Sequence, residues 1–295
     1  MNMLELKRAL RRFVSKLSGT NKLIFFIVIA MLCIMAISIG IYTQYFYKYA
    51  ETDPLMIGIN TSSEKTAEEL QLLEANFNTL FTNSLKVNSE NVNVTAKLDE
   101  SKDLIYTGYK LQNEDENYFS VNAIIPLLNI NTEKAKEITK SIISEFHDKA
   151  NQVMRQQEVY TVYNVTYTAY INNDILSVVI KSSLREGEKA EKLSIKTYNY
   201  SLSAQRQVTL AELVELKEQT VESVQSKIDN EIKTAYNNAK IIAAEYGNLY
   251  ERDLNSDMYK VENSTTYFLT DDGYVYVLYP YGNKDYTNEM DIVIF

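Results

Sequence analysis

Hydrophobic and polar positions divide the chain into one apolar stretch and a long alternating remainder. From Leu23 to Tyr47 there is no charged residue, and Leu23–Ile37 is unbroken apolar sequence. The most apolar part, Leu23–Tyr42, is 20 residues long. At about 1.5 Å per residue, a helix of that length spans a hydrocarbon core of about 30 Å. Lys7, Arg8, Arg11, Arg12, Lys16 and Lys22 precede it against the single acid Glu5, so the positive-inside rule places the N-terminus in the cytoplasm. Tyr42, Tyr45, Phe46, Tyr47 and Tyr49 follow it as an aromatic belt at the outer headgroup level. A cleaved signal peptide would have a shorter apolar region ending in a small-residue site, whereas this run leads into Tyr-rich sequence. The expectation is a single-pass cell-membrane protein, anchored in lipid through residues 23–42, with its C-terminal domain extracytoplasmic.

Beyond the anchor, residues 50–63 are polar, hold Pro54 and Gly58, and read as a stalk. Glu64–Leu85 places Ala67, Leu70, Leu73, Phe77, Leu80 and Phe81 at helical spacing, an amphipathic helix able to pack on the domain or to form a homodimer. Ser89–Glu100 alternates weakly, as a strand would. Leu104–Leu111 and Tyr118–Ile125 flank the acidic run Asn113–Asn117 and predict a hairpin, with Pro126 ending its second strand. Asn131 or Thr132 then caps a helix through about Gln156, with Ala135, Ile138, Ile142, Phe146, Ala150 and Val153 as its buried stripe.

Glu158–Ile171 alternates Val and Tyr with polar residues, Asn172-Asn173-Asp174 turns the chain, and Ile175–Ser182 returns as a strand. Arg185–Ala190 reads as a charged loop and Leu193–Leu202 as a further strand. Thr209-Leu210-Ala211-Glu212 has capping-box spacing and opens a short helix to Leu216. A longer helix runs from about Thr220 to Tyr246, with Val221, Val224, Ile228, Ile232, Ala235, Ala239 and Ile242 on one face and Gly247 at its end. Thr265–Leu269 and Tyr274–Tyr279 form a hairpin through Asp272-Gly273, and Asp291–Phe295 closes the chain as a strand. The fold class that follows is α+β, an antiparallel sheet with hairpins and two long helices, preceded by a single N-terminal transmembrane helix.

Composition narrows the chemistry. One Cys and one His in 295 residues exclude an intrachain disulfide and zinc sites of the Cys₄ or Cys₂His₂ kind. The whole chain carries −9 and residues 1–22 carry +5, which leaves −14 on the remainder. Such an acidic domain repels nucleic acid and is steered toward cationic partners. There is no G-x-x-x-x-G-K-S/T and no G-x-G-x-x-G run, so no nucleotide loop is expected, and Asp271-Asp272-Gly273 lacks the D-x-D-x-D-G spacing of a calcium loop; no cofactor or metal is expected. The lone histidine, His147, lies beside Phe146 at the edge of the buried stripe. Asp148 is its sequence neighbour, and adjacent residues do not face each other on a regular helix.

Ile125-Pro126 with Asn129-Ile130-Asn131, Thr197-Tyr198-Asn199-Tyr200 leading to Val208-Thr209-Leu210, and Tyr267-Phe268-Leu269-Thr270-Asp271-Asp272-Gly273 followed by Tyr279-Pro280-Tyr281 resemble the PdaC/RsiV-type extracytoplasmic module of Gram-positive bacteria. That module occurs beside a peptidoglycan deacetylase domain and as the outer, lysozyme-binding domain of the membrane anti-sigma-V factor. The resemblance covers about residues 100–295. Joined to the charge and hydropathy reading, it gives an expected organisation of a basic cytoplasmic tail at 1–22, a transmembrane helix at 23–42, a stalk and amphipathic helix at 43–99, and the module itself at 100–295, with no deacetylase domain following.

The expected function is a non-enzymatic binding or sensing protein of the cell envelope. Its partner would be a cell-wall component or a cationic secreted protein such as a lysozyme. The alternatives are a signalling receptor of the anti-sigma type and a structural envelope protein. Tyrosine is amphipathic and suits recognition, and Tyr274, Tyr276, Tyr279, Tyr281 and Tyr286 crowd the C-terminus as the candidate binding residues. No catalytic set stands out.

Overall fold

The computed structural model describes residues 66–88, 96–247, 252–281 and 289–295, together with Gly19. The expected basic tail, the Leu23–Tyr42 span and the 50–63 stalk lie outside the described residues. Among the described residues no helix is long and apolar enough to cross a membrane.

Two sheets stack in the interior with helices on both outer sides. The larger holds β1 (Leu85–Asn88), β2 (Ile105–Asp115), β3 (Phe119–Leu128), β4 (Thr161–Asn172), β5 (Ile175–Glu186), β6 (Lys192–Ser201) and β7 (Arg206–Gln207). The smaller holds β8 (Tyr267–Leu269), β9 (Val275–Tyr281) and β10 (Glu289–Ile294) in the order β10-β9-β8. The hairpins β2–β3, β4–β5, β5–β6 and β8–β9 are antiparallel.

The sheet is not wholly antiparallel, as the sequence suggested: β3 and β1 both run parallel to β4. The cause of the first is the connection. A helix crosses over from β3 to β4, and a β-α-β crossover of that length makes parallel neighbours.

That crossover comprises α2 (Glu133–Ile142), a π-helical turn (Ile143–His147) and α3 (Asp148–Arg155). Thr132 caps it by accepting from the Ala135 amide. Its buried stripe steps by four residues from Ile138 to Ile142, Phe146 and Ala150. On a regular helix each such step drifts by about 40°. The wider π turn absorbs much of that drift and keeps the stripe facing the sheet. There it meets Val121, Ala123, Ile125, Tyr163, Val165, Tyr167 and Ile180 in the first core cluster. Each fully buried Ile or Phe of the stripe contributes roughly 1.5–3 kcal/mol of transfer free energy.

The other end of β3 diverges from β4. Its pairing with β4 stops at Ala123 opposite Val165, and β1 takes over from Leu85 opposite Ala169. Between them Asn83, held at φ +55°, bridges the gap. Its amide donates to the Tyr167 carbonyl at 2.8 Å, and its Oδ1 accepts from the Tyr167 amide at 3.0 Å. Pro126 does not end β3 as expected. It pairs with Thr107 beside a bulge, where β4 no longer asks for an N–H.

The N-terminal boundary also differs from the expected 100. The predicted Glu64–Leu85 helix is shorter, α1 (Ala67–Ala75) followed by a 3₁₀ turn at Phe77–Leu80. It packs on this same domain: Phe77 is buried against Phe268 and Tyr276 at ring distances of 6.4 and 6.3 Å. Of 89–100, where a weak strand was expected, the described part 96–100 is loop. Asn129 clamps that loop. Its Nδ2 donates to the carbonyls of Asp99 (2.7 Å) and Lys102 (3.1 Å), and its Oδ1 accepts from the amides of Leu98 (3.1 Å) and Asp99 (2.8 Å).

On the far side, α4 (Leu210–Leu216) carries the predicted Thr209–Glu212 capping box, and α5 (Val221–Tyr246) ends at Gly247 with φ +87°. Val224, Ile228 and Ile232 of α5 are buried, whereas Ile242, expected on the same face, is 59% exposed. The helix outruns the small sheet that it covers.

Candidate functional site

The small sheet holds the candidate tyrosines, and it is buried on both faces. Val275, Val277 and Tyr279 join Val293 and Phe295 beneath α4 and α5. Tyr274, Tyr276 and Leu278 point the other way, against Tyr170, Val179, Phe268 and Phe77. Tyr274, Tyr276 and Tyr279 are only 5%, 1% and 2% exposed. The expectation that they form a binding surface is therefore corrected: alternation put them on one face or the other, but each face has a covering layer. Burial pushes the Tyr279 phenol up to about 12, and its hydroxyl lies 2.9 Å from Ser264 Oγ. Tyr286 lies outside the described residues.

The Thr270–Tyr274 connection is a tight turn. The Thr270 amide donates to the Tyr274 carbonyl at 2.9 Å, the Gly273 amide to the Thr270 carbonyl at 3.1 Å, and Gly273 sits at φ +88°, where a side chain would be strained. Lys217 Nζ, at the end of α4, donates to the Gly273 carbonyl at 2.6 Å. Burial holds that ammonium below the usual lysine range. The Asn172 and Asn88 side-chain amides donate to the Asp271 carbonyl at 3.2 and 2.6 Å. These contacts anchor the turn to the large sheet and to α4.

Tyr281 is the one described candidate at a surface, and it is half-buried. Its ring lies over Arg252, with Cζ 3.7 Å from the ring centroid. Arg252 in turn grips Asp291 through Nε–Oδ2 at 2.6 Å and Nη2–Oδ1 at 2.8 Å, both side chains being buried. Burial pushes the Asp291 carboxyl up and Arg252 opposes that shift. It also pushes the Tyr281 phenol up to about 12, against the same guanidinium. This ion pair ties β10 to the segment that follows α5.

That segment forms one wall of a groove. The other wall is the first turns of α5, where Val221, Gln225 and Asp229 recur every four residues on one stripe. Leu254, Asn255, Ser256, Tyr259, Lys260, Val261 and Glu262 complete a cavity of about 330 Å³. Gln225 fixes the walls to each other. Its Nε2 donates to the Tyr259 carbonyl at 3.1 Å, and its Oε1 accepts from the Val261 amide at 3.0 Å. Tyr259 forms the floor, 5% exposed and edge-on to Tyr279 at 5.2 Å. Sequence reading left 248–264 unassigned, because two short 3₁₀ turns have no period to detect. The usable signal was Gln225 and Asp229, polar residues beside the buried stripe of α5.

His147 sits on the π turn with its ring 4.2 Å from that of Tyr109, and its Nδ1 is 3.2 Å from Asp148 Oδ1. Among the described residues no three His, Cys, Asp or Glu side chains gather in a way that could hold a metal ion.

No protein-family model matches the sequence, and no curated protein does. Solved structures similar in shape include a DUF3298 family protein from Pseudomonas aeruginosa PAO1, 12% identical with a TM-score of 0.41 over 64% of this chain and 85% of that one. A second is a DUF3298 family member from Bacteroides fragilis NCTC 9343, 11% identical with a TM-score of 0.29 over 60% of this chain and 79% of that one.

Proposed function

We propose that this chain is a membrane-anchored, non-enzymatic binding module of the bacterial cell envelope, of the PdaC/RsiV type. The observation that carries the reading is the groove between α5 and the 252–262 segment, whose walls Gln225 holds in place before any ligand arrives. Preformed concavity lowers the ordering cost of binding. The apolar Leu23–Tyr42 run and the −14 charge beyond residue 22 support an anchored, acidic outer domain. The ligand is a cell-wall component or a cationic secreted protein. A signalling role is the second reading, favoured by the docking of Phe77 and β1, which lead in from the N-terminal segment, into the same domain.

The test is co-sedimentation of the full-length chain with purified peptidoglycan, and its capture on immobilised lysozyme, each at low salt and at about 0.15 M salt, where screening sets in within about 8 Å. Saturable binding to either that survives the higher salt supports the module. Binding to neither refutes it.

A further inference from the structure

We infer that the open edge of β6 takes a further strand, an extended peptide in which acidic and apolar residues alternate. The inference goes beyond the groove and does not depend on it. Three observations carry it.

The first is the backbone. β6 pairs with β5 along its whole length, but on its other side β7 covers only Tyr200 and Ser201. The Val208 amide donates to the Asn199 carbonyl at 3.0 Å, so the odd-numbered residues of β6 aim their backbone groups away from β5. By the strand period of two, Leu193, Ile195 and Thr197 do the same. Their amides and carbonyls meet no partner among the described residues. The opposite edge of the sheet, β2, is broken by the bulge between Thr107 and Tyr109, a feature that blunts pairing. The register of β6 on β5 has no such shift.

The second is a notch beside that edge. Leu193 and Ile195 line it with Leu278, Pro280 and Met290, and Glu289 stands among them. Its volume is about 40 Å³. One water-sized group needs roughly 10–15 Å³, so the notch seats about three such groups, the end of a valine or leucine. A strand added to β6 would carry every second side chain over this face.

The third is charge. On the other face of β6, Lys192 and Lys196 are exposed. Lys192 has no ion-pair partner among the described residues, and Lys196 has Glu145 at 3.5 Å. Within a chain that carries −14 beyond residue 22, this strip is basic, while the notch face holds Glu289. An added strand is matched when its acids lie beside the lysines and its apolar residues lie over the notch. A second copy of this edge fits less well, because its own Lys192 and Lys196 would come alongside these lysines, and like charges across a strand pair repel.

Fluorescence anisotropy of a fluorescein-labelled Glu-Val-Glu-Val-Glu-Val peptide, titrated with the full-length chain, tests this. The sorted peptide Glu-Glu-Glu-Val-Val-Val has the same composition and charge and should bind about tenfold more weakly, since it cannot match both faces of β6 at once. N-methylation of the peptide gives the signature of an added strand. An antiparallel strand bonds β6 through the residues whose side chains lie over the notch, and a parallel strand through the alternate ones. Methylating the valine amides should abolish binding in the first case and methylating the glutamate amides in the second, while the other set leaves Kd unchanged. In the protein, Ile195→Pro removes one outward donor from an edge strand, where proline is tolerated, and should raise Kd about fivefold. Lys192→Gln/Lys196→Gln should raise it about fivefold as well, whereas the charge-matched control Lys233→Gln/Lys240→Gln on α5 should leave it unchanged. Equal effects of the two methylation sets, equal binding of the sorted peptide, or no binding at all would overturn the inference, and these arms need no variant. So would a chain that sediments as a dimer and becomes monomeric in Ile195→Pro, since a second copy would then hold the edge.

Discussion

Replacing Asn129 by Asp changes one atom's chemistry and tests what closes the 96–103 loop. Asn129 is 1% exposed, and its side chain makes four hydrogen bonds to that loop's backbone. In Asn129→Asp the acceptor side is kept, while the two donated bonds are replaced by a carboxylate oxygen facing the Asp99 and Lys102 carbonyls. Each lost bond is worth about 1 kcal/mol net, and an unsatisfied buried group adds about 1–3 kcal/mol. The expected loss is therefore about 3–5 kcal/mol at pH 7. That is a large share of the roughly 5–15 kcal/mol of a folded domain. Asn129→Ala loses all four bonds but leaves room for water at the loop amides, and should cost about 2–3 kcal/mol.

The two variants should also differ in pH dependence. The introduced carboxyl is disfavoured when charged, so its folded pKa lies above the unfolded value of about 3.9. The protonated acid can donate one bond. The Asp variant is then least impaired, relative to the native chain, below about pH 3.9, and the deficit grows as pH rises through the folded pKa. Urea unfolding followed by far-UV circular dichroism, a probe that does not depend on the absent tryptophan, should be run at pH 3.5 and pH 7 on all three chains. If the Asp and Ala variants match each other within about 0.5 kcal/mol at both pH values, the clamp does not do what its geometry implies.

Asp291→Asn takes the carboxylate from beside the buried Arg252 and should cost about 3–5 kcal/mol, whereas the apolar pair Arg252→Met/Asp291→Leu should come within about 1 kcal/mol of the native chain in the same urea assay. Tyr279→Phe removes only the hydroxyl that meets Ser264. It should lower stability by about 0.5–1.5 kcal/mol and leave ligand affinity unchanged when both are measured on one preparation. Burial, then Glu231 and Asp291, raises the Glu74 pKa, so its ionisation opposes docking of α1 and that penalty appears as pH rises through the folded pKa. Glu74→Gln should therefore raise the urea midpoint at pH 7 by a few tenths of a kcal/mol equivalent and have no effect at pH 3, well below both pKa values.

Local chemistry was what the sequence displayed most clearly. The Thr209–Glu212 box, the Gly247 cap, the Asp272-Gly273 hairpin and the Asn172–Asp174 turn each depend on residues a few positions apart, and each forms where its signal lies. The parallel pairing of β1 was not legible, because its register depends on a side chain, Asn83, meeting a backbone 84 residues away. Nor was the double burial of β9. In a chain without tryptophan, tyrosine serves as the large core residue, and its alternation with valine looks the same whether one face or both are covered.

Three of the buried phenols each meet a hydroxyl, Tyr167 with Thr107, Tyr200 with Thr132 and Tyr279 with Ser264, at 3.0, 2.8 and 2.9 Å, whereas the buried Tyr170 hydroxyl meets no partner among the described residues. Of the candidate site, only Tyr281 came from the sequence. The groove did not, since its walls are irregular turns set by Gln225 rather than by any period.

The pairing of β1 with β4 also imposes an order on biosynthesis. Ribosomes extend chains at about 5–20 residues per second, so the 84 residues between Asn83 and Tyr167 take roughly 4–17 s to appear. Throughout that time Phe77 and β1 have been made but have no sheet to join. Even after the β4–β5 hairpin closes, the edge of β4 from Ala169 to Asn172 stays open until β1 returns to it. An apolar segment awaiting its partner and an unpaired strand edge are the two features that holding chaperones and aggregation both exploit. The earliest part of this domain to be synthesised thus waits a long time for its partners, β1 for β4 and Phe77 for Phe268 and Tyr276, and nascent chains arrested before those partners appear should be its most vulnerable form.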